Sequence, residues 1–332
     1  MPNSVDEPDC HITYDVRERL LLLWLPPIDP KKVVWVGRGS DAGEALEMYD
    51  MDGANYSNML SVYLNSWIER SKGDIHILHP SQQPRLESNP PLPETTRYNY
   101  RKLQSAMDFC RAFKDSHEVQ LIKQANAIST EAHTAVLRKL RHFKNEAQVE
   151  ALYLDVCVSR GAKHQAYPII AGSGQNAAIL HYISNNEDFA DRQLMCLDAG
   201  AEWKCYASDV TRTFPLSGDW PSVEARNIYE LVQRMQTSAL EMIGPGDYLL
   251  VAHIRAHEIA VEGLLELGIL HNGTVKEIMR AGTSFAFYPH GLGHHMGLEV
   301  HDVASSAIAV DMCEMADAVL AVCLEELCKG RL

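Results

Sequence analysis

The 332-residue chain has no C-x-x-C pair, no apolar stretch of membrane-spanning length and no excess of positive charge. Its cysteines (Cys10, Cys110, Cys157, Cys196, Cys205, Cys313, Cys323, Cys328) are scattered. Such usage fits a reducing compartment, and a disulfide framework belongs rather to chains under about 100 residues. The longest apolar run, Leu20–Leu25, falls far short of the roughly 20 residues that span a bilayer. No basic-then-apolar segment opens the sequence, so the expectation is a cytoplasmic protein without membrane attachment. Lys and Arg number 30 against 44 Asp and Glu, a net charge of −14. A nucleic-acid binder or a coat for an anionic membrane wants the opposite excess.

What is present is an ordinary globular mixture, 46% apolar and 22% charged, in a chain long enough for two domains and a sizeable core. His11–Tyr14, Leu20–Leu25 and Val33–Val36 read as strands, the last two separated by a proline break. Ala42–Tyr49 reads as a helix and Asp74–Leu78 as a short buried strand. The prolines between His79 and Asn99 mark a loop. Asp115-x-x-Glu118 resembles a capping box opening a helix whose apolar positions run from Leu121 to Leu140 at helical spacing. A second helix starts at Asn145, with Gln148 three residues on, and stops at Gly161. Strand-like pieces follow at Tyr167–Ala171, Ile179–Ile183, Gln193–Asp198 and Tyr206–Phe214. Ser222 caps a long helix and Asp247 another that ends at Gly268. Helices then strands, given twice, predict an α+β domain of two similar halves.

Three segments carry chemistry. In Leu197-Asp198-Ala199-Gly200 through Ser208-Asp209-Val210-Thr211-Arg212-Thr213-Phe214, a hairpin can bring Asp198 and Asp209 together on one face. Two close carboxylates are costly unless a cation lies between them, and Mn, Mg or imidazole-assisted Zn suit such oxygens. Pro289-His290-Gly291-Leu292-Gly293-His294-His295-Met296-Gly297-Leu298-Glu299-Val300-His301-Asp302-Val303 packs four histidines into twelve residues. It is neither H-E-x-x-H nor G-x-G-x-x-G. The third, Gly172-Ser173-Gly174-Gln175-Asn176-Ala177-Ala178-Ile179-Leu180-His181-Tyr182, is a glycine turn and strand carrying a histidine. Read singly, Asp198 fits a strand-end surface residue as well as a ligand, the second segment fits a ligand-free turn, and the third fits pure structure. His253 and His257, at i and i+4, read as a solvated helix face. Ser173 and Ser208 lie outside G-x-S-x-G, which argues against a serine hydrolase.

Together and in order, G-S-G-x-N-A-A-x-L-H-Y, D-A-G-A-E through S-D-V-T-R-T-F, and H-G-L-G-H-x-x-G-L-x-V-H-D-V resemble the pita-bread metallopeptidases. That family holds Xaa-Pro peptidases, methionine aminopeptidase and creatinase. The likeness spans residues 115–303 and is nearest to fungal and bacterial Xaa-Pro aminopeptidases, with prolidase a close neighbour. Tyr14 and the Pro-Pro-Ile-Asp-Pro run resemble their helper domain. The resemblance implies an α+β chain: a small, partial N-terminal α/β (creatinase-like) helper domain over 1–114, then a pita-bread catalytic domain, C-terminally incomplete, over 115–332. It also implies a dinuclear manganese site, with Asp198 on one metal, Asp209 bridging both and His294 on the other. His181, His290 and His301 would line the cleft, hold the peptide carbonyl and stabilise its developing charge. The implied reaction releases the first residue from a peptide whose second residue is proline. Partners implied are that peptide and, as the resemblance allows, a second subunit of a homodimer.

The family's remaining two ligands are glutamates in E-P-G-x-Y and R-x-E-D segments, which this sequence does not contain. Glu314, Glu325 and Glu326 stand in other contexts, and Ala304 replaces the family's glycine. The expectation is a catalytic domain incomplete at its C-terminus, with weakened metal affinity because ligand charge and number set it. Two alternatives stay open beside the aminopeptidase: a prolidase, and a non-catalytic member that binds peptides through the same cleft.

Overall fold

In the computed structural model, residues 5, 7–71, 73–82, 92 and 96–303 are described, and the chain divides into two compact units, Met1–Phe113 and Lys114–Leu332. In the first, β1 (His11–Asp15) and β2 (Leu20–Leu25) form an antiparallel hairpin with His11 opposite Trp24. Two short helices follow, α1 (Pro30–Val36) and α2 (Ala42–Met48), and then β3 (Gly53–Tyr56) pairs parallel to β2. The helix α3 (Leu60–Ser71) comes next. β2 is an unbroken apolar run because both its faces are covered. Leu23 and Leu25 pack on Ala45 and Tyr49, and Leu22 and Trp24 pack on Leu60 and Leu64. β4 (Ile75–His76) and β5 (Tyr98–Asn99) pair in parallel, and α4 (Leu103–Ala112) closes the unit.

Val33–Val36, read from sequence as a strand, is the end of α1. Asp29 caps this helix by accepting from the Lys31 N–H at 2.9 Å, and Pro30 occupies its first turn. That Asp-Pro pair is a helix start, and here it outweighs the β-propensity of three valines and a tryptophan.

The second unit opens on α5 (Ser116–Lys139) and α6 (Glu146–Ser159). Both expected capping boxes are present, Asp115 with Glu118 and Asn145 with Gln148. Ile128, Ala132 and Val136 of α5 face Val149, Tyr153 and Cys157 of α6 in the main core. Two small sheets pack on this pair. One joins β6 (His164–Gln165), β9 (Ala201–Trp203) and β10 (Tyr206–Ala207). The other is antiparallel, with β8 (Leu194–Asp198) central between β7 (Ile170–Ser173) and β11 (Thr211–Pro215). Met195 and Leu197 of β8 enter the core, so the two-residue alternation turns Cys196 and Asp198 to the opposite face. The helices α7 (Val223–Glu241), α8 (Leu249–Glu266) and α9 (Val275–Arg280) follow, with Leu231 of α7 against Ile259 and Leu264 of α8.

Three further readings change. Ile179–Ile183 is not a strand: a short 3-10 turn covers Gly174–Ala178, and Ile179, Leu180 and Ile183 are exposed on irregular chain. Tyr206–Phe214 is two strands, because Ser208 N–H bonds to the Ala201 carbonyl at 3.0 Å while Val210 accepts from the Ala199 N–H at 3.1 Å. Asp247 caps nothing; its N–H closes a turn on Gly244 at 3.1 Å, and α8 begins after Tyr248 without a side-chain cap. The strands expected after residue 303 lie outside the described residues. The described cysteines Cys10, Cys110, Cys157, Cys196 and Cys205 are unpaired. No helix among the described residues is long and apolar enough to cross a membrane.

Candidate metal centre

Asp198 ends β8, opposite Thr211 of β11 and Ile170 of β7. The chain then turns through Ala199 and Gly200, and the turn is anchored from beneath. The Ala199 carbonyl accepts from the Tyr153 hydroxyl at 3.0 Å and from His133 Nε2 at 3.2 Å, both buried. A side chain at position 200 would place its Cβ 1.8 Å from the Ser208 carbonyl oxygen, so only glycine lets the two backbones cross there. Ser208 is fully buried and bonded to Ser129 Oγ at 2.7 Å and the Ala201 carbonyl at 2.8 Å. It is a lacing residue, which leaves its neighbour Asp209 projecting beside Asp198.

Tyr167 joins the two carboxylates. Its hydroxyl lies 2.5 Å from Asp198 Oδ1 and 2.9 Å from Asp209 Oδ1. One phenolic proton is thus shared between two acceptors, which offsets part of their repulsion. Burial, and then the two carboxylates, push the phenol's pKa up and keep it protonated. The aspartates themselves diverge. Asp198 is raised, by burial first and also by the Asp209 charge. Asp209 is lowered, chiefly because His294 Nε2 stands 3.1 Å from its Oδ2.

His294 is oriented from its other nitrogen, since Nδ1 donates to the His295 carbonyl at 2.9 Å. That bond fixes the tautomer and presents Nε2 to Asp209. Asp209 raises the pKa of His294 in return. The rings of His294 and His301 lie 4.1 Å apart. Ligand atoms of Asp209, His294 and His301 all fall within 4.8 Å of one another. Carboxylates beside an oriented imidazole nitrogen suit a hard or borderline divalent cation, so the donor set fits a metal.

The structure therefore brings together Asp198, Asp209 and His294, and adds His301 to the donor cluster rather than leaving it only along a cleft. His290 points Nδ1 at its own neighbour, the Gly291 carbonyl, at 2.7 Å. His181 is exposed and lies within electrostatic reach of both Asp198 and His301. The sequence reading missed Tyr167; the available signal was an aromatic hydroxyl just before β7. It also missed Asp302, nearly fully buried against Lys114 Nζ at 2.8 Å, a pair that ties the His301 segment to the start of α5. His253 and His257 are a correction. They are 2% and 1% exposed, not solvated, because α8 turns them into an aromatic nest with Phe285 and Tyr288.

Comparison with known proteins places these features. The model described as Metallopeptidase family M24 matches residues 120–321, and that described as Aminopeptidase P, N-terminal domain, matches residues 3–76. A probable Xaa-Pro aminopeptidase of Pyrenophora tritici-repentis is 54% identical over 308 residues, which is 92% of this chain and 46% of that protein. One from Uncinocarpus reesii is 48% identical over 308 residues, 92% of this chain and 73% of that protein. The chain spans only part of such curated relatives, from 33% of the Pyrenophora teres protein to 73% of the Uncinocarpus one. Among solved structures, the Pseudomonas aeruginosa aminopeptidase PepP superposes with a TM-score of 0.79 at 29% identity, covering 91% of this chain and 70% of that one. A zinc-substituted Escherichia coli aminopeptidase P in complex with product shares the fold, with a TM-score of 0.74 at 24% identity over 97% of this chain and 88% of that one.

Proposed function

The chain belongs to metallopeptidase family M24, and from that premise we propose that it is a metal-dependent aminopeptidase releasing the first residue from peptides with proline in the second position. Residues 1–114 are read as its helper domain and residues 115–332 as its catalytic domain. The observation that carries the reading is the cluster in which Tyr167 spans Asp198 and Asp209 while His294 and His301 close on Asp209. Relatives near 50% identity carry the Xaa-Pro aminopeptidase name, which favours this substrate class over a dipeptidase.

Membership of a metallopeptidase family brings a divalent metal with it, and manganese is our choice. Asp198 would hold one ion, Asp209 would bridge both, and His294 would hold the other. When bound, such a pair supplies Lewis acidity, making a nucleophile of water at neutral pH and polarising the scissile carbonyl. The chain's own residues do the rest. Tyr167 keeps the carboxylates aimed. His181, His290 and His301 would serve as the imidazole donors that hold the carbonyl oxygen and stabilise the charge that develops on it. A proline amide has no N–H, so the cleft needs no acceptor for one. The scattered cysteines, unpaired among the described residues, support a cytoplasmic setting, and a homodimer is part of the same reading.

The test is release of the first residue from an Ala-Pro-Xaa tripeptide by the Mn²⁺-loaded chain, with Asp209→Ala as control. Hydrolysis that is lost in the variant supports the reading. Cleavage of Ala-Pro dipeptides alone would point to prolidase, and a folded chain that binds no Mn²⁺ would sink both.

A further inference from the structure

Glu146 is a fully buried carboxylate that the chemistry above does not use. It is the first residue of α6, and its oxygens collect five donors. Oε1 accepts from the Ser173 N–H at 2.8 Å, the Ser173 hydroxyl at 2.7 Å and Asn176 Nδ2 at 3.0 Å. Oε2 accepts from the Tyr182 hydroxyl at 2.7 Å and the Glu187 N–H at 3.0 Å. Arg192 lies 3.7 Å from Oε1 and donates to the Ser173 carbonyl at 2.6 Å. Burial alone would raise this carboxyl's pKa, but bonds from Ser173, Tyr182 and Glu187 outweigh it and hold the group ionised.

All five donors come from residues 173–187, and His181 sits inside that stretch. The stretch has no strand partner between Gly174 and Ile183, and its apolar side chains Ile179, Leu180 and Ile183 are exposed. Hydrophobic burial therefore does not hold it. Asn185 secures its far end, bonding the Ala171 N–H at 2.9 Å and the Ile169 carbonyl at 2.8 Å. Between Ser173 and Asn185 the described anchor is Glu146, and Tyr182, the residue next to His181, is one of its donors. Gly174, at φ 55°, completes the arrangement, because a Cβ there would come 2.9 Å from Arg192 Cγ.

We propose that Glu146 is a positioning residue for His181: a buried anion that gathers the backbone and side chains of residues 173–187 so that one imidazole is presented to the metal centre. This rests on the reading of His181 as a cleft residue. The role is distinct from general stability, because Glu146 grips this stretch rather than the α5–α6 core.

The test uses the whole chain and two substitutions. Glu146→Gln replaces an acceptor oxygen with a donor that faces other donors. Tyr182→Phe leaves the carboxylate in place and removes only the donor beside His181, so it serves if the first variant fails to fold. In both, amide exchange across residues 173–187 should accelerate at least about tenfold while the α5 amides keep their protection. The His181 ring resonance, assigned by its loss in His181→Ala, should broaden or split. Where peptide hydrolysis is measurable, Tyr182→Phe should lower kcat, and lower it no further in a His181→Ala background, the coupling expected of residues that act as a unit. Unchanged exchange and an unchanged His181 resonance in both variants would overturn the inference. So would exchange accelerated uniformly, α5 included. A chain without peptidase activity but with the local exchange and resonance effects would overturn the proposed function and leave the positioning role standing.

Discussion

Among the described residues are two pairs of neighbouring imidazoles, and they behave in opposite ways. His294 and His301 lie 4.1 Å apart, in reach of solvent and beside Asp209. His253 and His257 lie 4.6 Å apart, buried in an aromatic nest. In the first pair, Asp209 raises the pKa of His294. In the second, burial and then His253 push His257 down to about 4. His253 accepts one bond, from the Leu292 N–H at 3.3 Å, while neither nitrogen of His257 has a hydrogen-bond partner among the described residues. Ring proximity is thus common to both pairs. Asp209 and an open approach mark only the first pair as a candidate donor site.

The sharpest way to break this contrast is Asp209→Asn. It should cost more Mn²⁺ affinity than the roughly 10–100-fold typical of outer-shell partners, as read by calorimetric titration. In the metal-free protein it should also return His294 toward its ordinary titration, followed by NMR. A His294 that titrates unchanged would show that Asp209 is not what distinguishes the pairs.

Acid stability should separate the pairs next. Folded His257 takes its proton near pH 4, whereas the unfolded chain takes it near the ordinary value of 6.5. Between these values the unfolded state binds more protons, so stability falls as pH drops through that window, by on the order of 3 kcal/mol in all. Urea melts at pH 7 and pH 4.5 should show the loss. His257→Leu should abolish that component and leave stability at pH 7 within about 1 kcal/mol of wild type, because an unpartnered polar group is removed. The His294 contribution has the opposite sign. Its raised pKa stabilises the fold below the unfolded value and is lost as pH rises through the folded one.

A smaller change is expected from Tyr167→Phe, which deletes the shared proton and keeps the ring. Mn²⁺ affinity should fall about tenfold with the fold intact; an unchanged affinity would mean that Gly200 and Ser208 alone hold the carboxylates in place. Smallest is His253→Phe, which orphans the Leu292 N–H and should lower stability by about 1 kcal/mol. Equal effects from His253→Phe and His257→Leu would erase the distinction between the bonded and the unbonded ring.

Much of the candidate site is legible in the sequence itself. Asp198, Asp209 and His294 are marked by short-range motifs, and the capping boxes at Asp115 and Asn145 are rules about residues three apart. Features that depend on distant chain were not readable. Whether His253 and His257 face water depends on Phe285 and Tyr288, some thirty residues away in sequence. Tyr167 gains its role only when two separate aspartates converge on it. Ile179–Ile183 has strand-like composition, but the carboxylate of Glu146 claims its polar neighbours before a ladder can form. At Val33–Val36 the deciding signal is local: the Asp29-Pro30 helix start overrides the context-dependent β-propensity of the valines.

Gly200 has a consequence beyond permitting a turn. Asp198 ends β8 and Asp209 lies between β10 and β11, and the two segments meet where the Ser208 carbonyl passes over a position with no side chain. That spacing is a main-chain dimension, so repacking elsewhere in the unit leaves it nearly unchanged. Discrimination between ions of different radius would then be inherited in part from the crossing of two backbones, which a side chain at position 200 would force apart.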